Sequence, residues 1–457
     1  MAKPPLCYYP FFGLSDDTKG YWQACCQAKP FENKDGNQKY NIKNMSFFEF
    51  FNSKEMKQLR YDMVMMNESS ELYQKTCKNC IDEEKMGVLS MRRQITDAPF
   101  KRGPMQVNYD QGLFRHNLLE DIKQNPNNNL LPTDVKYLKL HFFGNLCNLK
   151  CISCQPMSSS KIAAEHIKWK NGGQWPDWEE GGSVLNKELN LRMIESAIIN
   201  PYNKLNKKKF FDELEESLPT IKMLDFVGGE PMYNKQIKEL LEWIVSKELS
   251  KGLMIKFTTN AMYEDYELYN LLKYFKSTSV DISLDGVGKK DEYLRTGTVW
   301  KEKIEIIDNI YQTFSQISWS NTIQLCNIGY LDEMWKFIEQ WKEKYPRKGV
   351  IWKGEEYGVG PLNNILSWPP ILQGVNIPKK VAYMYIKKYE DKKFPRKTEF
   401  INMLQNDKER NHDLFLRGMA RYKFYDKKRG TCLLDQWPEF TEWYNEDFNS
   451  IMGKQIF

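Results

Sequence analysis

The sequence has no long hydrophobic run. No stretch approaches the roughly 18 consecutive apolar residues that a membrane-spanning helix requires. The first residues, MAKPPLCYYPFFG, show no basic segment, no sustained apolar segment and no small-residue cleavage site of the kind found in secretory leaders. We therefore expect a soluble protein of the cytoplasm.

The sequence also lacks an excess of charge of one sign. It has 66 Lys and Arg residues against 60 Asp and Glu residues, which gives a net charge of +6. Because the opposite charges nearly cancel, composition does not indicate electrostatic steering toward nucleic acid. The small basic clusters Lys207–Lys209 and Lys289–Lys290 are interpreted as solvated surface, with phosphate binding as the alternative.

Cysteine, by contrast, is present in chemically suggestive groups. The chain has 10 cysteines, most of them in pairs or triplets with short gaps. In the reducing compartment expected here such thiols rarely form disulfides, so these groups are better interpreted as metal ligands. Cys326 and Cys432 stand alone and are expected to be small buried hydrophobes.

From residue 135 onward, apolar runs alternate with helical patterns. The candidate strands are 136–143, 221–227, 253–259, 278–284, 318–325 and 349–353. Segments with apolar spacings of three and four lie between most of them, at 233–247, 264–275, 302–315 and 331–344. Repeated strand–helix units predict a parallel sheet curled by its helices, with functional residues at the carboxyl ends of the strands. Six units predict an α/β fold with a partial (β/α)6 TIM-like barrel.

The regions on either side of this pattern are different. The Asn-Pro-Asn-Asn-Asn segment at 125–129 has turn chemistry and predicts a linker. Beyond the last strand, 379–396 and 399–418 have helical patterns. The predicted domains are an N-terminal module at 1–130, the barrel at 131–355 and a C-terminal helical cap at 356–457.

Three cysteines follow the first candidate strand, in the segment GNLCNLKCISCQP at 144–156. Three thiols at two different gaps suit neither a disulfide nor a closed four-ligand zinc site. An iron-sulfur cube held by Cys147, Cys151 and Cys154 would keep one iron open to an amine and a carboxylate, such as the amino-acid end of S-adenosylmethionine (SAM). The alternative is a zinc ion with His141 or His166 as its fourth ligand.

The segment CNLKCISC at 147–154 resembles the signature of the radical SAM superfamily. The GGEP segment at 228–231 resembles the glycine-rich motif of that family, whose backbone binds the methionyl amino group. Glycine suits this role because it lets the main chain approach a ligand closely. The chain departs from the family at Ser153, where an aromatic residue usually precedes the last cysteine.

The resemblance implies further cofactor contacts at the ends of later strands. It places Thr259 and Asn260 near the ribose, and it pairs Arg295 with the SAM carboxylate. Thr259 and Asn260 also have an ordinary interpretation as a strand end, Asp285 as part of an Asp-Gly turn, and Arg295 as a solvated charge. The expected site consists of the catalytic ligands Cys147, Cys151 and Cys154, with Gly228, Gly229, Glu230, Pro231, Thr259, Asn260, Ser283, Asp285 and Arg295 binding the cofactor.

The resemblance therefore implies an enzyme. In this family a reduced [4Fe–4S] cluster passes an electron to SAM, and the resulting 5'-deoxyadenosyl radical takes a hydrogen atom from the substrate. An external electron donor such as flavodoxin or ferredoxin is implied, and a peptide is the expected substrate. Modification of a nucleotide, sugar or nucleic acid is the alternative within this class, and a non-catalytic zinc-binding interaction protein is the alternative from another class.

A second group of cysteines lies ahead of the barrel. Cys77 and Cys80 form a C-x2-C pair, and Cys7 and the doublet Cys25–Cys26 lie upstream. Thiolate spacing alone does not separate an iron-sulfur cluster from a structural zinc.

The segment CKNCIDEEKMGVLSMRRQ at 77–94 resembles the C-x2-C-x3-E-x2-G-x2-S-x-R segment of phage-type twitch-domain radical SAM proteins. Residues 424–440 also resemble theirs. The likeness implies a second, auxiliary [4Fe–4S] cluster held by Cys7, Cys25, Cys77 and Cys80, with Cys25 favoured over Cys26. Without that likeness, Glu84 and Arg92 would be interpreted as exposed charges on a helix.

Overall fold

The computed structural model describes most of the chain. The described residues are 6–33, 35–85, 90–93, 111–124, 135–172, 197–346, 350–352, 355–357, 364–366 and 368–445. The predicted linker at 125–129 lies outside them. No helix among the described residues is both long enough and apolar enough to cross a bilayer.

A mixed sheet forms the centre of the molecule. The strands are β1 (Gly13–Asp16), β2 (Trp22–Gln23), β3 (Tyr137–Leu140), β4 (Lys150–Cys151), β5 (Met223–Phe226), β6 (Met254–Thr259), β7 (Ser277–Ser283), β8 (Arg295–Thr296), β9 (Gln316–Ser320), β10 (Thr322–Ile323), β11 (Val350–Trp352), β12 (Glu355–Tyr357) and β13 (Asn364–Ile365). Seven of them form one sheet in the order β2-β1-β3-β5-β6-β7-β9. Only the β1–β2 pairing in this sheet is antiparallel, so six strands run parallel and end at the same edge.

The two faces of this sheet have different chemistry because successive side chains of a strand alternate between faces. One face is apolar and buried, and the Phe257 ring on this face packs 6.3 Å from Phe314 beside a helix. The other face is polar, with Lys139, Asp225 and Lys256 aligned on adjacent strands. A polar face in the middle of a parallel sheet indicates a side that is not covered by helices.

The helices surround the sheet and extend past it. They are α1 (Tyr9–Phe12), α2 (Phe47–Phe51), α3 (Lys54–Met65), α4 (Glu71–Thr76), α5 (Lys78–Lys85), α6 (Gln111–Gln124), α7 (Ser160–Asn171), α8 (Lys207–Ser217), α9 (Lys235–Ser246), α10 (Tyr266–Leu272), α11 (Lys289–Leu294), α12 (Trp300–Thr313), α13 (Leu331–Lys344), α14 (Lys379–Tyr389), α15 (Lys397–Gln405), α16 (His412–Arg429) and α17 (Thr441–Tyr444). Side chains fix several of their starts: Ser159 accepts from Ile162 N, and Asp265 accepts from Glu267 N.

The N-terminal residues share a core with the sheet. The Trp22 ring lies 6.3 Å from Phe50 of α2 and 6.5 Å from Phe142, which follows β3. A second apolar cluster joins the C-terminal helices to residues after β9, including the fully buried Trp437 and Cys326. Cys326 is therefore a buried small hydrophobe as predicted, whereas Cys432 is only partly buried.

The sequence-based strand predictions hold for the centre of the sheet but not for its edge. A mixed α/β fold with a parallel sheet is confirmed. The prediction that 349–353 supplies the sixth barrel strand is wrong, because β11 pairs antiparallel with β12 in a separate two-stranded sheet. The sixth parallel strand is β1, which pairs with β3, so the predicted boundary at residue 130 cuts through the sheet. At four residues, GLSD is too short to show the alternation that marks a strand.

Candidate cofactor site

The loop between β3 and α7 carries the cysteine triplet, and the buried side chain of Asn145 holds it. The Asn145 amide donates to the carbonyl oxygen of Pro156 at 2.9 Å and to that of Ala197 at 3.1 Å. Its side-chain oxygen accepts from Ile199 N at 2.8 Å. Both N–H donors and the oxygen of this amide are thus used to fix the loop, as expected for a buried polar group.

The start of α7 holds the same loop from the other side. Ser160 Oγ accepts a hydrogen bond from Cys147 N at 3.1 Å, and Ser159 Oγ donates to the Leu149 carbonyl at 2.8 Å. Further along, Cys151 of β4 pairs with Arg295 of β8 in a short antiparallel ladder. The backbone positions of Cys147 and Cys151 are therefore fixed by the fold.

The three thiols are largely buried in protein. Burial raises the pKa of Cys151 to about 12, against the opposing effect of Arg295. Burial raises the pKa of Cys147 and of Cys154 as well. Such thiols stay protonated unless a metal displaces the proton.

The thiols do not form a preformed site for a single ion. Within the described residues, no three His, Cys, Asp or Glu side chains are spaced to hold one metal ion. An iron-sulfur cube separates its ligands more widely than one ion does, so this spacing is compatible with a cluster. Neither His141 nor His166 lines the cavity that the cysteines share, and His166 instead hydrogen-bonds Tyr425 OH at 2.9 Å.

The cysteines open onto a cavity of about 360 Å³ at the carboxyl ends of the parallel strands. All three cysteines line it, together with six predicted cofactor-binding residues: Gly228, Gly229, Thr259, Asn260, Ser283 and Arg295. The fold thus brings these residues from five separate segments to one cavity. It does not place Glu230, Pro231 or Asp285 on the cavity wall.

Gly228 and Gly229 are required by the contact between two loops. Both have positive φ, at 92° and 58°. A Cβ on Gly229 would lie 2.2 Å from the Leu146 carbonyl oxygen, and one on Gly228 would lie 3.0 Å from the Gly144 carbonyl oxygen. A side chain at Gly229 would therefore push the cysteine loop away from the strand ends.

Glu230 connects two strand ends behind the cavity. Its carboxylate accepts from Asn260 N at 2.6 Å, from Thr259 Oγ1 at 2.9 Å and from Met232 N at 3.2 Å. Burial raises the pKa of this carboxyl to about 7, against the hydrogen bonds that favour the charged form. Glu230 is thus positioned to hold Thr259 and Asn260 in place.

Asp285 lies behind Arg295 and orients it. Arg295 Nη1 donates to Asp285 Oδ2 at 3.0 Å, while Asp285 Oδ1 accepts from Thr322 N at 2.9 Å. The buried Arg295 Nε has no hydrogen-bond partner among the described residues. Burial lowers the pKa of Arg295, but the interactions with Cys151 and Asp285 raise it by more, so the guanidinium stays charged. Its Nε–H remains available as a donor.

Sequence reasoning missed several residues of the cavity wall. Ser153, Gln155 and Ser158 belong to the cysteine loop, and Thr322 and Leu366 come from segments after β9 and β13. Thr322 lies inside the predicted strand 318–325, whereas the strand of the structure ends at Ser320, so the strand-end argument that indicated Thr259 did not reach it. Leu366 has no local signal, since its position depends on a pairing between distant residues.

The second cysteine group also converges. Cys7, Cys25, Cys77 and Cys80 line one cavity of about 20 Å³, although they come from three separate segments. Cys26 does not line it. Burial lowers the pKa of Lys139 whereas Asp225 and Cys26 raise it, which places the Cys26 thiol near the polar face of the sheet.

A buried ion pair closes this second cavity. Arg92, which lines it, donates from Nε and Nη2 to the Glu84 carboxylate at 2.7 Å each, and Ser90 Oγ donates to Glu84 at 2.5 Å. Arg92 also donates to Tyr73 OH. The interpretation of Glu84 and Arg92 as exposed helix charges is therefore wrong: the pair is bidentate and Arg92 is buried.

Comparison with known proteins supports the identity of the central region. The model of the radical SAM superfamily matches residues 142–339, somewhat less than half of the chain. The resemblance noted in the cysteine loop is thereby confirmed for this radical SAM domain. The phage-type twitch subgroup stays a prediction, and no curated protein matches the chain.

Several solved structures are similar at low identity. Native anSMEcpe with bound AdoMet and the Cp18Cys peptide is 12% identical, with a TM-score of 0.28, and the match covers 46% of this chain and 48% of that one. TYW1 with a lysine-pyruvate adduct is 15% identical, with a TM-score of 0.23 and coverages of 57% and 72%. SuiB of Streptococcus suis bound to S-adenosylmethionine is 12% identical, with a TM-score of 0.25 and coverages of 67% and 64%. The chain thus spans about half of the first structure, and likeness at this level does not support a functional assignment.

Proposed function

From the match of residues 142–339 to the radical SAM superfamily, we propose that this chain is an enzyme that binds a [4Fe–4S] cluster through Cys147, Cys151 and Cys154 and cleaves S-adenosylmethionine reductively. The observation that carries the proposal is the shared cavity of about 360 Å³, in which three thiols meet polar groups from the strand ends. Three protein ligands keep one iron of a cube open, and the cavity provides room beside it.

When bound, the reduced cluster and SAM supply a 5'-deoxyadenosyl radical that takes a hydrogen atom from a substrate. The protein's own residues bind and orient. The Nε–H of Arg295, which has no partner among the described residues, is available to donate a charge-assisted hydrogen bond to the carboxylate of SAM. The backbone at Gly228 and Gly229 lines the cavity and is available for the amino group. Glu230 holds Asn260 and Thr259 at the cavity wall, where they would contact the ribose.

For Cys7, Cys25, Cys77 and Cys80 we propose a second metal centre, with an auxiliary [4Fe–4S] cluster as its preferred occupant. The support for a cluster is the likeness of residues 77–94 to the twitch-domain segment. The cavity of about 20 Å³ is close to the size of one water molecule and favours the competing occupant, a single zinc ion. Metal quantitation separates the two.

The proposed substrate is a peptide, and the proposed electron donor is a small carrier such as flavodoxin or ferredoxin. The support for the peptide is the likeness of 77–94 to twitch-domain proteins, which often modify peptides. Nucleotide, sugar or nucleic-acid modification is the competing proposal. It predicts salt-sensitive binding to polynucleotide, which a peptide-modifying enzyme would not show.

The test is SAM cleavage by anaerobically purified, dithionite-reduced protein. The wild type is expected to form 5'-deoxyadenosine and methionine in equal amounts. The Cys151→Ala substitution is expected to abolish this cleavage, because the two remaining thiolates would not hold the cluster. Metal at the second site is expected to be retained. Deoxyadenosine formation by the Cys151→Ala variant at the wild-type rate would rule out the assignment.

A further inference from the structure

The polar face of the sheet continues below the cofactor cavity. Val227 and Thr258 line the cavity, and Asp225 and Lys256 lie two residues earlier on the same strands. Residues two apart on a strand point to the same face and are about 7 Å apart along it. Asp225 and Lys256 are also in register with Lys139 of β3. A row of charged side chains therefore forms the floor beneath the cavity.

Most charges in this row already have partners. Lys256 Nζ lies 2.7 Å from Asp281 Oδ2. Asp225 Oδ2 accepts from Tyr137 OH at 2.6 Å. These contacts hold Asp225, Lys256 and Asp281 in place across three strands.

Lys139 differs from the others, because its ion pair with Asp225 does not include a hydrogen bond. The carboxylate nearest to its ammonium among the described residues is Asp225, and the separation of 3.6 Å is too long for a hydrogen bond. Burial lowers the pKa of Lys139, but Asp225 outweighs it, so the ammonium stays charged. A charged group inside a protein is normally hydrogen-bonded, because leaving it unpaired costs free energy.

Lys139 is also the more exposed member of its ion pair with Asp225. Its side chain keeps 20% of its exposure, whereas Asp225 keeps 1%. The Lys139 ammonium is therefore more accessible to a small anion than the Asp225 carboxylate is. Neighbouring Lys256, at 23% exposure, adds positive charge on the same side.

Resting on the function proposed above, we propose that Lys139 anchors an anionic group of the substrate on the polar sheet face, one pleat below the SAM cavity. The group is a carboxylate or a phosphate, since both offer the oxygen acceptors that an ammonium needs. This position would place the substrate under the cofactor while Arg295 is occupied by SAM itself.

The test uses the full-length, metal-loaded protein with saturating SAM, which blocks anion binding at Arg295. Thermal unfolding is followed while acetate or inorganic phosphate replaces chloride at constant ionic strength. We expect a saturable rise in Tm with one of these anions. A response to acetate alone indicates a carboxylate-bearing substrate such as a peptide, and a response to phosphate alone indicates a phosphorylated one.

Lys139→Gln is expected to weaken the apparent affinity for that anion by about tenfold or more. Lys139→Arg should restore most of it, and the surface change Lys251→Gln should leave it unchanged. If the Lys139→Gln variant does not fold, the double variant Lys139→Gln/Asp225→Asn is used in its place. The double variant removes both charges of the ion pair and leaves no buried carboxylate without its partner.

A wild type with no saturable response, or a Lys139→Gln variant with the wild-type response, overturns the inference. SAM binding, measured by equilibrium dialysis on the same samples, separates the two proposals. If SAM binds but no anion response is seen, only the role of Lys139 is ruled out. If SAM does not bind, the proposed function is ruled out.

Discussion

The two cysteine groups of this protein differ in how their thiols are assembled and in how much space they enclose. Cys147, Cys151 and Cys154 come from one loop and open onto about 360 Å³. Cys7, Cys25, Cys77 and Cys80 come from three segments and enclose about 20 Å³. One loop would supply three ligands and leave room for a small molecule, whereas four ligands from distant segments would hold those segments together.

This difference indicates that the two cysteine sites have different roles. The first site is surrounded by strand ends whose polar groups have spare hydrogen-bonding capacity, as at Arg295 Nε. The second is closed by Arg92, whose guanidinium is paired with Glu84. A metal at the first site would therefore be open to a small-molecule ligand. A metal at the second would be enclosed by protein and would link the segment around Cys7 and Cys25 to helix α5.

The largest expected effect comes from removing one thiol at each site. Cys147→Ala is expected to lose about four irons per chain and all SAM cleavage, with metal at the second site unchanged. Cys80→Ala is expected to lose the second metal and keep SAM binding. Iron, sulfide and zinc analysis with a SAM-binding assay measures both. If either substitution emptied both sites, the division between them would be wrong.

The doublet Cys25–Cys26 offers two neighbouring thiols of the second site that can be replaced separately and compared. Cys25 lines the cavity and Cys26 does not. Cys25→Ala is therefore expected to lose the second metal and to lower Tm, while the matched variant Cys26→Ala keeps both near wild type. The reverse pattern would assign the ligand to Cys26.

Much of the first site was predictable because its signals are local. The spacing of Cys147, Cys151 and Cys154 and the strand ends at Gly228 and Thr259 can each be read within a few residues. The convergence of these segments follows from parallel strands ending at one edge.

What could not be predicted depends on pairings between distant residues. β1 is four residues long, and its place beside β3 is decided by packing across more than 100 residues of chain. Glu230 was expected to contact the cofactor, but its carboxylate is used by three donors behind the wall. Glu84 and Arg92 are both positions of the pattern at 77–94, but the pattern does not show that they pair with each other, and it does not include Tyr73, the other partner of Arg92.

Gly229 tests the contact between the cysteine loop and the strand ends. Gly229→Ala is expected to lower the free energy of unfolding by about 3 kcal/mol and to weaken SAM binding, because its Cβ would collide with the Leu146 carbonyl. The control is Gly430→Ala, which has a similar φ of 69° but open space around its Cβ, and which should cost about 1 kcal/mol. Equal costs in denaturant titrations would show that backbone strain alone, without the loop contact, explains Gly229.

The smallest expected effect is the pH dependence contributed by Glu230. Its pKa is about 7 in the folded protein against an ordinary 4.5, so the folded state binds more protons than the unfolded state between these values. Stability contributed by Glu230 is therefore present below pH 4.5 and lost as the pH rises through 7. Relative to Glu230→Gln, wild-type stability should fall with rising pH by about 1 kcal/mol per pH unit at most.

The control for this titration is Glu216→Gln, at an exposed position on α8. It should leave the slope of the wild type unchanged. A wild-type curve parallel to that of Glu230→Gln would show that the Glu230 carboxyl titrates alike in the folded and unfolded states.

The central claim is that the Cys147 loop holds an iron-sulfur cluster and not a zinc ion. Quantitation of iron, acid-labile sulfide and zinc in anaerobically purified Cys80→Ala protein tests it most directly, because the second site is then disabled. We expect about four irons and four sulfides per chain, with no stoichiometric zinc. One zinc per chain and no sulfide would contradict it.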